Sequence, residues 1–68
     1  MFFQRIEDLR IDNDKTQREI ACLLGCHLET YRRYEKGFRE IPLWALIKLA
    51  DYYEVSTDYI LGRSASKK

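Results

Sequence analysis

Disulfide staples, a membrane span and a catalytic constellation are all missing from this chain. Its two cysteines, Cys22 and Cys26, lie four residues apart in one stretch, and nothing resembles a signal peptide. A reduced, cytoplasmic protein is expected. The apolar runs are only a few residues long, against roughly 20 needed to cross a bilayer, so no membrane partner is expected. The single histidine, with no serine or cysteine beside a positioned base, argues against an enzyme. Cys22, Cys26 and His27 are zinc-type ligands in kind, but no second cysteine pair completes a tetrahedron. We expect no metal, no cofactor and no small-molecule ligand, with Cys26 filling an apolar turn position instead.

Strand-like alternation, repeats and linkers are absent too, which leaves an all-α reading. Sixty-eight residues, 46% hydrophobic and 34% charged, suit one small packed domain rather than a disordered chain. A net charge of +1 is low for a nucleic-acid-binding domain, but the charge is polarised. Arg32, Arg33, Lys36 and Arg39 face only Glu35 in one segment, whereas Glu7, Asp8, Asp12 and Asp14 face only Arg10 in another.

The central stretch is Thr16 to Gly37, TQREIACLLGCHLETYRRYEKG. Thr16 and Glu19 have capping-box spacing, in which the hydroxyl accepts from the amide three residues on and the carboxylate reaches back. Ile20, Ala21 and Leu24 then face inward, and Gly25 ends the helix. His27 is a weak cap for a third helix from about Leu28 to Lys36. At 100° per residue Tyr31, Tyr34 and Glu35 share one side of it, and Leu28, Glu29, Arg32, Arg33 and Lys36 the other. Two short helices across a glycine turn form a helix-turn-helix.

Around this motif, Phe2, Phe3, Ile6 and Leu9 place a first helix over Phe2 to Asn13. Pro42 suits the first turn of a fourth helix, with Leu43, Leu46, Ile47, Ala50 and Tyr53 inward. Ser56 or Thr57 caps a last short helix closed by Gly62. The domain is expected over 1–62, with 63–68 a frayed polar tail.

In register over residues 3–62 stand Ile6-x-x-Leu9-Arg10, Thr16-Gln17-x-Glu19-Ile20-Ala21, Gly25, and Tyr34-Glu35-x-Gly37-x-Arg39-Glu40. Leu46-x-Lys48-Leu49-Ala50 and Val55-Ser56-x-Asp58-Tyr59-x-Leu61-Gly62 follow. Together they resemble the phage-repressor and Cro type of helix-turn-helix regulators. The resemblance implies a compact five-helix, lambda-repressor-like DNA-binding domain of prokaryotic or phage origin. It implies that Gln17 contacts the DNA backbone and braces the recognition helix, and that His27, Leu28, Glu29 and Arg33 face base edges. By the same resemblance Arg10 and Glu35 form an internal ion pair. The chain departs from the family pattern at His27, Leu28, Tyr31 and Phe38.

The expected partner is double-stranded DNA, bound by a homodimer on a pseudo-palindromic operator, because one short recognition helix reads only a few base pairs. Arg33 either reads guanine, to which it presents two parallel donors, or pairs with Glu29 one turn earlier. Thr16, Gln17, Arg32, Lys36 and Arg39 are the phosphate candidates, and such contacts set affinity without carrying sequence information. Leu28 packs on a thymine methyl or staples its own helix. Trp44 and Phe38 offer a protein contact, or Trp44 packs on the loop from Phe38 to Ile41. The alternative function is a protein-interaction module, adaptor or antitoxin-like, that keeps the fold without specific DNA binding.

Overall fold

A computed structural model describes residues 2–67, and its helix boundaries follow from local capping chemistry. The chain is all-helical among these residues: α1 (Gln4–Asp12), α2 (Gln17–Leu24), α3 (Leu28–Lys36), α4 (Leu43–Tyr53) and α5 (Thr57–Ile60). Thr16 Oγ1 accepts from the Glu19 amide at 3.1 Å, and Glu19 Oε1 accepts from the Thr16 amide at 3.0 Å. The capping box therefore starts α2 as its spacing requires. Ser56, rather than Thr57, caps α5, its Oγ accepting from the Tyr59 amide at 3.0 Å.

α1 begins two residues later than the apolar pattern suggests. Phe3 is extended and has no side-chain acceptor for the free amides, and its ring packs against the core instead. Asn13 closes the helix from outside it, donating from Nδ2 to the Leu9 carbonyl at 2.7 Å. Pro42 likewise stands just before α4 as its N-cap, with extended ψ of 154°, rather than in its first turn.

Gly25 and Gly37 end α2 and α3 in the left-handed region, at φ of 69° and 80°. Their surroundings differ. A Cβ on Gly25 would meet nothing within 4 Å, whereas one on Gly37 would lie 3.0 Å from Phe2 Cβ and 3.1 Å from Phe2 Cα. Gly25→Ala is therefore expected to cost only the backbone strain of about 1–2 kcal/mol. Gly37→Ala adds a clash with backbone and should lose more, by about 1 kcal/mol or above. Urea unfolding of the two variants checks this order, and equal losses would contradict it.

The core gathers Ile6 and Leu9 of α1, Ile20, Ala21 and Leu24 of α2, Tyr31 and Tyr34 of α3, and Ala45, Leu46, Leu49 and Ala50 of α4, with Ile41 and Ile60. Ala21, Ala45 and Ala50 are small enough to let neighbouring helices approach closely. Leu43 and Ile47, expected inward, are exposed. The Ala45–Leu46–Leu49–Ala50 stripe covers the core, and Leu43 and Ile47 lie on the arc facing away from it.

The first and last helices are tied by one side chain. Arg5 Nη1 donates to the carbonyls of Tyr59, at 2.7 Å, and Ser64, at 2.6 Å, while its guanidinium lies 4.1 Å from the Tyr59 ring centroid. Beyond Gly62, the Arg63 amide donates to the Asp58 carbonyl at 2.8 Å, and the Lys67 carbonyl accepts from the Ser56 amide at 2.7 Å. Arg63 and Lys67 thus each carry one backbone bond to the body of the domain. Lys68 lies outside the described residues, as does Met1. No helix among the described residues is long and apolar enough to cross a membrane.

Candidate nucleic-acid interface

α2 and α3 make the most extensive helix contact in the fold, and beneath their junction a buried polar network sets the attitude of α3. Glu35 is the one buried charged residue among those described. Arg10 grips its carboxylate with two parallel bonds, Nε to Oε2 at 2.8 Å and Nη2 to Oε1 at 3.3 Å, and its third arm, Nη1, donates to the Lys15 carbonyl at 3.0 Å. Gln17 Nε2 also donates to Glu35 Oε1, at 3.0 Å. One carboxylate on α3 therefore fastens both α1 and the first residue of α2.

Burial alone pushes the Glu35 carboxyl up, but the bonds from Arg10 and Gln17 and the adjacent Tyr31 hydroxyl outweigh it and hold it below its ordinary range. Burial, with that carboxylate beside it, pushes the Tyr31 phenol up. A carboxyl depressed in the folded state contributes stability that is fully present above its unfolded value, about 4.5, and is lost as pH falls through the folded value. Acidification from about pH 5 to about pH 3 should lower the urea midpoint of the wild type more than that of Glu35→Gln. Equal declines would assign the acid sensitivity to other carboxylates.

The opposite oxygen of Gln17 faces outward. Its Oε1 accepts from Arg32 Nε at 3.2 Å, so the side chain links the buried carboxylate to the exposed face of α3. On that face Glu29, Arg32, Arg33 and Lys36 are all exposed and fall within one arc of about 100°. Glu29 lies between the two arginines, 3.7 Å from Arg32 Nη1 and 3.9 Å from Arg33 Nε. Pairs this long and this exposed are worth at most about 0.5 kcal/mol, so either arginine is free to leave for a stronger acceptor. Lys36 Nζ lies 3.8 Å from Glu7 Oε2 of α1.

Gln17, Glu29, Arg32, Arg33, Lys36 and Phe38 line one shallow groove of about 370 Å³. Phe38, 84% exposed, thus stands with the charged face of α3. Thr16 is exposed at the N-terminus of α2, and its hydroxyl, accepting within the cap, keeps its proton to donate. His27 is exposed and makes no capping bond, Leu28 is half-buried, and Arg39 is exposed in the loop after α3. Cys22 is exposed and Cys26 packs against the core. Two positioning contacts carry no local sequence signal: the double bridge through Gln17, and the approach of Glu7 to Lys36. Both join residues far apart in the chain.

A helix-turn-helix family model matches residues 6–60. The HTH-type transcriptional regulator AnsR of Bacillus subtilis (strain 168) is 37% identical over 68 residues, covering 100% of this chain and 59% of AnsR. The cryptic phage CTXphi transcriptional repressor RstR of Vibrio cholerae is 42% identical over 55 residues, covering 81% of this chain and 50% of RstR. The HTH-type transcriptional regulator ImmR of Bacillus subtilis (strain 168) is 34% identical over 65 residues, covering 96% of this chain and 51% of ImmR. The chain spans between 50% and 59% of the length of these relatives. No solved structure gives a significant match. With five helices in the expected order and a braced third helix, the chain belongs to the phage-repressor, Cro/C1-type helix-turn-helix family, a family of transcriptional regulators and not of enzymes.

Proposed function

We propose that this chain binds duplex DNA sequence-specifically as a homodimer on a pseudo-palindromic operator and regulates transcription by occupying it. The observation that carries the reading is the double bridge of Gln17, bonded to buried Glu35 on one side and to exposed Arg32 on the other. A side chain held at both ends at the start of α2 is preorganised to meet a phosphate while fixing the angle of α3. In this reading His27, Leu28, Glu29 and Arg33 face base edges, and Thr16, Gln17, Arg32, Lys36 and Arg39 meet phosphates and sugars. One copy carries a single recognition helix, so two major-groove half-sites about 34 Å apart call for two copies. The relatives named as repressors and regulators support the same reading.

Salt dependence tests it. Phosphate contacts release counterions, so affinity falls steeply as salt rises, by roughly 0.9 log units per phosphate per log unit of salt. Lys36→Ala should weaken all duplexes alike and flatten that slope by about one unit. A slope near zero in the wild type would instead favour the protein-interaction module, whose apolar contacts respond little to salt. The exposed apolar residues of α4 and the low net charge are the observations that speak for that second reading.

A further inference from the structure

Phe38 is the most exposed large apolar side chain among the described residues, at 84%. It is also the one apolar residue of the six that line the groove beside α3. Its backbone is fixed all the same. The Phe38 amide donates to the Arg33 carbonyl at 3.0 Å and the Gly37 amide to the Tyr34 carbonyl at 3.3 Å, with Gly37 left-handed. This is a Schellman closure, in which the residue after the glycine commonly folds back on the last turn of the helix. Here that residue leaves its ring in solvent instead. A protein partner fits the ring poorly. Specific protein interfaces bury about 800 Å² per partner, whereas one aromatic side chain presents about 150–250 Å². Its neighbours in the groove are three cations, one carboxylate and one amide, a rim that suits a polyanion.

We infer that Phe38 packs on a deoxyribose of one DNA strand, between the phosphates met by Lys36 and Arg39, and supplies a share of the affinity that does not depend on salt. The inference rests on the DNA-binding reading. Lys36 precedes Phe38 by two residues and Arg39 follows it directly, and both are exposed. Between successive phosphates of a strand stands one sugar, whose C–H edge is the apolar surface at that spot. A recognition helix puts its N-terminal residues on base edges. Phe38 lies two residues past Lys36, the last residue of α3, so its short side chain meets the wall of the groove rather than the floor. Sugar contacts position the strand and carry no sequence information. Covering apolar surface releases no counterion, so the contact adds affinity without adding to the salt slope. Covering half of the ring corresponds to about tenfold or more in affinity.

Affinity for a duplex that the wild type selects, read by fluorescence anisotropy from about 50 to about 200 mM salt, is the test, with circular dichroism to show that each variant folds. Phe38→Ala should weaken binding about tenfold at every salt concentration and leave the salt slope unchanged. A repeated selection with that variant should return the same base preferences. Phe38→Lys should steepen the slope by about 0.9 log units per log unit of salt, because a cation at this spot gains a phosphate. A changed preference for thymine at one position in Phe38→Ala would put the ring on a methyl group in the groove floor and overturn the inference. Unchanged affinity in Phe38→Ala would do the same, as would a wild-type slope in Phe38→Lys. The selection itself keeps the two proposals apart. A wild type that enriches no duplex removes the DNA reading and this contact with it, whereas a selected duplex whose affinity ignores Phe38 removes the contact alone.

Discussion

Arg10→Ala is expected to bring the domain to the edge of unfolding. The substitution removes both bonds that hold the buried Glu35 carboxylate from α1 and a third to the Lys15 carbonyl. Stranding a buried charge in this way costs about 3–5 kcal/mol. The whole stability of a 68-residue domain is about 3–10 kcal/mol at 0.05–0.15 kcal/mol per residue, so one side chain carries a large share of it. Thermal melting followed by circular dichroism should show the midpoint falling by about 15 °C or more, or no cooperative transition at all. A fall of less than about 5 °C would mean that the pair behaves as a solvated one. Arg10→Met/Glu35→Leu separates stability from positioning. Apolar replacement of a whole buried pair is often close to neutral, so this variant should fold. It also leaves Gln17 without its carboxylate anchor, and DNA affinity should drop in a chain that still melts cooperatively.

Arg33→Ala should relax the choice of base at one position of each half-site and leave the rest of the motif intact. A bidentate arginine on guanine is worth about 1–3 kcal/mol of discrimination, or roughly 5–150-fold in relative affinity for the preferred base pair. Its pairing with Glu29 in the free chain, at 3.9 Å and exposed on both sides, is too weak to compete with that contact. Glu29→Ala therefore should not lower affinity through loss of the pair. On the proposed DNA-binding face it should raise non-specific affinity by removing a negative charge. Unchanged preference and unchanged affinity in Arg33→Ala would show that Arg33 serves only the surface of α3.

Local chemistry was legible in the sequence. The capping box at Thr16 and Glu19, the glycines after α2 and α3, and the bounds of α3 depend on residues within one turn of each other. The burial of Tyr31, Tyr34 and Glu35 follows from their shared side of α3, because the opposite side is wholly polar from Glu29 to Lys36. α4 resisted the same reasoning. It is apolar on nearly all sides, so periodicity finds two candidate stripes and cannot rank them. The stripe with two alanines won because small side chains let α4 settle close against its neighbours. That left Leu43 and Ile47 outside. Arg5 gave no signal as the clasp on the C-terminal segment, since its partners stand 54 and 59 residues away. Separation in sequence also hid the bond of Gln17 to Glu35, 18 residues away. The pairing of Arg10 with Glu35 was accessible only through resemblance to known regulators, because their separation of 25 residues fits no local rule.

Selection of bound duplexes from a random DNA pool, by the purified chain at about physiological salt, tests the central claim most directly. The expected result is an enriched motif with two-fold symmetry, its half-sites centred about 10–10.5 base pairs apart or a multiple of that. Recovery of unenriched sequence, with binding seen only at low salt, would contradict sequence-specific recognition by α3 and leave the family fold with a protein partner in place of an operator.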